Sequence, residues 1–373
     1  MEMNTYRSII SAVLLAFCWA ANSQGSIIIT GADGKPVRIP DIKSKAPPPP
    51  PPTGVLTMPP STMFEVNGAA LMTPVPGTNK LNIKPTTELP SPGDIGAFRM
   101  ACRGSHQAFN DPIVYPGQPR RSHLHQFFGN TGINAHTTAA SILTTGNSTC
   151  GGGVMNASGY WVPAVVDRRT GVPLVPLTNI LYYKGSYGYY NSPRREQMVT
   201  PPKGLRMIAG NPLATPANAG YSWQCIPAGA APKPLSKTIP GVDCPNGASI
   251  VMGVAFPNCW DGTNLDSPDH QSHMAYSNYT TGCPASHPVL IPSIAFNIHY
   301  TVTAKNRSEF WRLASDMYDP SLPGGASVHG DWFNGWRDDP ATGRNFLDII
   351  TSECIRKGKD CHGHLLGDGR MLF

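Results

Sequence analysis

Charge is scarce in this chain: Lys, Arg, Asp and Glu make up 14% of its 373 residues, and no long block of one sign occurs. The net charge of +6 is scattered, and Arg120 with Arg121, Arg168 with Arg169 and Arg194 with Arg195 are the only adjacent arginine pairs. A nucleic-acid partner is therefore not expected. Beyond Ala21 no apolar run approaches the roughly 20 residues that cross a bilayer, so no membrane span is expected in the mature chain. No CxxC occurs, which disfavours a zinc knuckle. HExxH is missing as well, which disfavours a thermolysin-like peptidase, and so is the GxSxG elbow of serine hydrolases. Gly151, Gly152 and Gly153 lack the following lysine and helix pattern of a phosphate loop, which sets nucleotide chemistry aside.

What is present begins with an export signature. Arg7 precedes an apolar run from Ile9 to Ala21 that ends in small residues, the layout of a secretory signal peptide over residues 1–23. Cys18 would leave with it. The remaining eight cysteines, an even number in an exported chain, predict four disulfides. Cys354 and Cys361 are expected to close a local loop, and the other pairings stay open. Residues 24–94 are rich in Pro, Gly, Thr and Ser and include the run Pro47 to Pro52, which favours an extended polyproline form that buries nothing. This stretch reads as a largely disordered spacer, with a cell-wall contact as its alternative role. The expected location is extracellular, in solution or at the wall.

Residues 95–373 read as one globular domain. YWVPAVV (160–166), SIVMGVAF (249–256) and VLIPSIAFNIHYTV (289–302) are short and rich in branched or aromatic residues, as strands are. Pro163 and Pro292 interrupt two of them, which predicts edge or bulged strands. Helical spacing appears at Phe346, Ile349, Ile350, Cys354 and Ile355, ahead of Gly358. The predicted fold is mainly β and sandwich-like, with few short helices and long loops pinned by disulfides. Segments 100–150 and 257–288 lack regular periodicity, and long loops of this kind inside a compact domain are usually functional.

Three segments concentrate polar chemistry. In the first, His123 and His125 are two apart, so an extended backbone projects both imidazoles to one face. The second runs from Asn258 to Met274 and holds Trp260, Asp261, Asp266, Asp269, His270 and His273. Imidazoles and carboxylates are the usual ligands of zinc and related ions, and the same groups serve as general acids and bases. The third places His329 and Asp331 two apart beside Trp332, Phe333 and Trp336. All three are expected to lie outside regular strands and to converge on one polar pocket. His136 and His287 are candidates for a supporting shell, and His362 and His364 belong to a tail beside Cys361.

The stretches DPIVYPGQPRRSHLHQFFGN, YWVPAV, KGLRMIAG, NCWDGTNLDSPDHQSHMAY with CPASHPVLIP, and SVHGDWFNGW occur in this order. Together they resemble the secreted domain-of-unknown-function family numbered nineteen ninety-six, found in fungal and bacterial proteins, over about residues 97–356. Members of that family are often joined to modules linked to wall carbohydrate, so the resemblance implies an extracellular glycan as substrate or ligand. This chain carries no such module.

The expected function is a secreted carbohydrate-active enzyme that cleaves a cell-wall or extracellular polysaccharide by hydrolysis or elimination. Asp266, Asp269, Asp331, His123 and His273 are the catalytic candidates. Trp260, Trp332, Trp336 and Asn130 are the candidates for gripping sugar. One divalent metal ion is the cofactor this donor set suits, with His123, His125, His270, His273 and His329 as its candidate ligands. A non-catalytic glycan-binding or wall-associated protein is the first alternative, and a metal-dependent oxidase or phosphoesterase the second.

Overall fold

The computed structural model describes residues 65–93, 95–185, 193–278 and 281–373, together with two short strands, Ile28–Thr30 and Pro36–Arg38, that pair antiparallel. The expected signal peptide and the run Pro47 to Pro52 lie outside the described residues. Two sheets make the body of the domain. The smaller has five antiparallel strands: β1 (Gly104–Ala108), β2 (His125–Gly129), β3 (Gly159–Pro163), β4 (Arg206–Gly210) and β5 (His329–Phe333), in the order β4-β5-β3-β2-β1. The larger has seven strands, with Ser293–Thr301, Thr178–Lys184 and Ala97–Cys102 at its centre.

The sheets pack face to face because each strand presents alternate side chains to the other sheet. From the five-stranded sheet come Phe128, Tyr160, Val162, Met207 and Trp332. Phe98, Met100, Leu181, Tyr183 and Phe296 meet them from the seven-stranded one, all in one buried cluster. The Tyr160 ring lies edge-on to Phe296, with centroids 5.6 Å apart, and the Tyr160 and Tyr183 hydroxyls are hydrogen-bonded at 2.8 Å. Gly330 sits closely packed at this interface, where a Cβ would stand 3.0 Å from Val254 and 3.4 Å from Phe296 and Val162. The opposite face of the small sheet buries a second cluster of Phe127, Trp161, Ile208 and Phe333 beneath Ile113, Ile133 and Ile142 of the crossing loops. That face carries the polar site.

The mainly β sandwich, the four disulfides and the short helix agree with expectation. Cys102 pairs with Cys150, Cys225 with Cys244, Cys259 with Cys283, and Cys354 with Cys361. The helix Phe346–Ile350 is capped by the Asn345 side chain and runs on through the π turn Thr351–Ile355. Among the described residues no helix is long and apolar enough to cross a membrane.

Other expectations need correction. Pro163 does not mark an edge, because β3 lies between β5 and β2; the proline ends the strand, and after Ala164 the chain passes into Val165–Asp167 of another sheet. Pro292 likewise lies in the gap between Val289–Leu290 and Ser293–Thr301, and the latter is an interior strand. The folded region also begins before residue 95. Ile83–Pro85 pairs with Arg370–Leu372, Ser91–Pro92 pairs with Lys359–Asp360, and Thr78 and Leu81 bridge to Ser148 and Gly153.

Candidate metal centre

The site is built on the first residues of β2 and β5. His125 opens β2 opposite Pro163, and β5 pairs with β3 through Asp331 and Trp161. Continued to the start of β5, this register places His329 on the far side of β3 from His125, on the same face of the sheet. His123 approaches two residues ahead of β2. Its ring centroid is 4.2 Å from that of His125 and 4.9 Å from that of His329. One nitrogen from each of the three rings lies within 4.8 Å of the others, a spacing suited to a shared cation.

Backbone carbonyls fix two of the tautomers. His125 Nδ1–H donates to the Asn110 carbonyl at 2.9 Å, and His329 Nδ1–H donates to the Ser327 carbonyl at 2.9 Å. Each of these rings is therefore held with its Nε2 lone pair free for ligation, the usual arrangement of metal-bound histidine. Nε2 of His123 and of His125 are buried with no hydrogen-bond partner among the described residues. Orphaned buried nitrogens are costly unless something completes them. Burial, with smaller contributions from the neighbouring rings, pushes the His123 imidazole well below its ordinary pKa of 6.5. It also lowers His125 and His329 to about 4, which keeps both neutral and able to ligate at neutral pH.

Two carboxyl groups adjoin the cluster. Asp331 follows His329 by two on the same face of β5 and is buried, with Oδ2 unpartnered among the described residues. Burial first, and then the charge of Asp111, raises its pKa well above the usual carboxylate range, which favours the protonated form. Asp111 is also buried, and its Oδ1 accepts from the backbone N–H groups of Ile113 and Val114 at 2.9 and 3.0 Å. Burial raises Asp111 too, against those hydrogen bonds and the nearby His329 and His270.

A profile described as Domain of unknown function (DUF1996) matches residues 111–336, from Asp111 at one edge of this site to three residues past β5 at the other. The chain belongs to this family. Among curated proteins and among solved structures, nothing matches.

Within the DUF1996 domain the predicted residues separate. His123, His125 and His329 come together, with Asp331 beside them. His125 and His329 do so from the first positions of β2 and β5 rather than from loops, while His123 comes from the loop ahead of β2, as expected. His273 is no ligand: its Nε2–H donates to the Arg206 carbonyl at 2.7 Å and its Nδ1 meets Ser267 Oγ at 2.9 Å, so both nitrogens brace the loop. His270 is also outside the cluster. Its Nδ1 binds Asp266 at 3.0 Å, an interaction that raises its pKa and favours the imidazolium, which cannot ligate. Asp266 is committed to His270 and to Arg206 Nη1 at 2.8 Å; these bonds hold its carboxyl below the ordinary range although partial burial works against them. Asp269 caps its own turn, accepting from Ser267 Oγ and from the N–H groups of Gln271 and Ser272. It is a structural residue, not an acid or base.

The sugar-gripping residues need revision as well. Trp332 and Trp336 are fully buried in the core between the sheets, where Trp336 donates to the Tyr183 hydroxyl at 3.0 Å, so neither offers a stacking face. Asn130 is buried and spends its amide on the carbonyls of Ile142, Thr145 and Ala157. Trp260 remains partly accessible, with its indole N–H on the Asn264 carbonyl at 2.6 Å. His287 donates to the Ser272 carbonyl at 2.8 Å and supports the loop of His273. In the sequence Asp111 reads only as the first residue of the polar stretch that leads to His123 and His125, and Arg206 is passed over. Asp111 opens an Asp-Pro turn and reads as a turn former; Arg206 shows no signal until β4 is seen beside β5.

Histidine burial also sets a pH response that does not depend on the cluster. His106 and His299 are both lowered from 6.5 to about 4 by burial, His106 against a hydrogen bond to the Ile133 carbonyl. In the interval between 4 and 6.5 the unfolded chain takes up protons that the folded chain refuses, so stability is complete above about pH 6.5 and is lost as pH falls toward 4. Urea melts of chelator-treated protein are expected to show a lower midpoint at pH 4.5 than at pH 7, with a smaller drop in His299→Gln. A midpoint indifferent to pH over this window would contradict the burial of these rings.

Proposed function

We propose that this chain is a secreted, metal-dependent enzyme that cleaves an extracellular or cell-wall polysaccharide by hydrolysis or elimination. The observation that carries the reading is the meeting of His123, His125 and His329, with one nitrogen from each within 4.8 Å of the others and two tautomers preset by carbonyls. Three neutral imidazoles leave coordination positions open, and an ion held that way activates bound water or polarises a substrate oxygen. Asp331, buried beside them with its pKa raised, is suited to deliver a proton to a leaving oxygen. His123 is only partly buried, unlike His125 and His329, which supports entry of substrate from its side. Polysaccharide is the substrate class that the family resemblance favours.

The test is product release. Protein with its disulfides formed is supplied with zinc, manganese or copper and incubated with a panel of wall polysaccharides, with and without chelator. Oligosaccharides are expected with the ion present, and Asp331→Asn is expected to lower turnover by about 100-fold or more while the fold is retained. A folded, ion-loaded protein that binds a glycan and releases nothing would favour the binding-protein alternative. Oxidised products formed with copper alone would favour the oxidase alternative.

A further inference from the structure

We propose that Asp316 and Ser327 are positioning residues for the metal centre: together they hold the carbonyl that keeps the proton of His329 on Nδ1 and leaves its Nε2 free to ligate. The inference rests on the three-histidine site of the proposed function. A neutral imidazole has two tautomers, and the hydrogen bond made by one ring nitrogen decides whether the other has a lone pair to offer. For His329 that decision falls to the Ser327 carbonyl, 2.9 Å from Nδ1. A loop carbonyl fixes a tautomer only if the loop itself is kept from turning.

The loop between the strand Trp311–Leu313 and β5 is built in that way. Asp316 is fully buried within it, and both of its carboxyl oxygens accept from the chain around it. Oδ1 accepts from Ser327 Oγ at 2.7 Å and from the Ser327 N–H at 3.2 Å. Oδ2 accepts from the N–H groups of Gly325 at 2.6 Å and Leu313 at 2.9 Å. One side chain thus ties the start of the loop to the residues that lead into His329. Ser327 Oγ also lies 2.7 Å from Ser315 Oγ, whose hydroxyl donates to the Ser327 carbonyl itself at 3.3 Å, and both serines are buried. From the larger sheet, Trp223 Nε1–H donates to the Gly325 carbonyl at 2.7 Å. Buried hydrogen bonds are costly to leave unmade, so this set resists any rotation of the 325–327 backbone. The bonds converge on Ser327, and the one group of that residue that touches a candidate ligand is its carbonyl. His125 supplies a reference, because its own Nδ1–H donates to the Asn110 carbonyl of a separate segment.

The experiment reads the tautomers by nitrogen NMR of metal-free protein with isotope-labelled histidines, using His329→Gln to assign the ring, and then titrates zinc. In the parent chain both His125 and His329 are expected in the Nδ1–H form. Ser327→Ala, which removes the hydroxyl and keeps the carbonyl, is expected to let His329 populate its Nε2–H form while His125 stays as it was, and to weaken zinc binding about 10-fold. Asp316→Asn, which sets an amide donor against the N–H groups of the loop, is expected to do more, up to about 100-fold; if it does not fold, Ser327→Ala still decides. A role confined to stability would lower the denaturation midpoint and leave the tautomer alone. An unchanged His329 tautomer in Ser327→Ala therefore overturns the inference whatever becomes of stability, and so does a shift of both rings together, which marks general loosening. A changed tautomer with zinc affinity unchanged overturns it as well. A changed tautomer in a variant whose parent takes no zinc upholds the positioning of His329 and counts against the metal-dependent enzyme.

Discussion

His329→Ala protein is expected to bind a divalent ion at least about 100-fold more weakly than the parent chain, which should take one ion at neutral pH. Losing even a residue that only orients a ligand costs 10- to 100-fold in affinity, and His329 is one of the three candidate ligands rather than a support. The change removes a buried ring that lies edge-on to His123 and His125 and bonds the Ser327 carbonyl, so the metal-free fold should lose about 1–3 kcal/mol. The two states separate the effects. At an ion concentration near 1,000 times the dissociation constant the parent gains about 4 kcal/mol of stability from binding, and the variant gains almost none. Thermal melts with and without zinc, beside a stoichiometry measured by elemental analysis, check both halves. A parent chain that binds no ion, or a variant that binds it as well, would remove the metal centre.

Trp332→Ala should unfold the protein more readily by about 3–5 kcal/mol, the range for deleting a fully buried large aromatic. The indole lies in the inter-sheet cluster with its ring 6.5 Å from that of Tyr183, and it is fully buried. Denaturant titration at pH 7 measures the loss. A cost below about 1 kcal/mol joined to weakened glycan binding would falsify the core placement and restore the tryptophan to a sugar-binding surface.

These two residues, three apart on β5, show what the sequence made legible. The donors were readable: His123, His125, His329 and Asp331 stand at spacing of two, and that spacing alone puts each pair on one face. What could not be read was that β2 and β5 are strands at all. HQFFG and HGDWF are buried at every position, so they lack the alternation that marks a half-buried strand, and their glycines argue for loops. With β5 unrecognised, Trp332 was grouped with Asp331 as a neighbour in sequence, although a strand sends adjacent side chains to opposite faces. The loop histidines misled for a different reason. His270 and His273 have the right donor chemistry, but Asp266, Ser267 and the Arg206 carbonyl claim their nitrogens, and no spacing rule announces that competition. The cysteine count, by contrast, depends on parity and compartment rather than on geometry, and it pointed to four disulfides directly.

The pairing of Ile83–Pro85 with Arg370–Leu372, and of Ser91–Pro92 with Lys359–Asp360, bears on how the chain is made. A ribosome delivers the early strands long before their partners exist. Neither pairing can close until most of the chain has followed, and contacts so remote in sequence form slowly. During synthesis, the segment around residues 83–92 must wait without its native neighbours. An unfinished domain of this kind stays threadable, which is compatible with an extracellular protein that carries four disulfides.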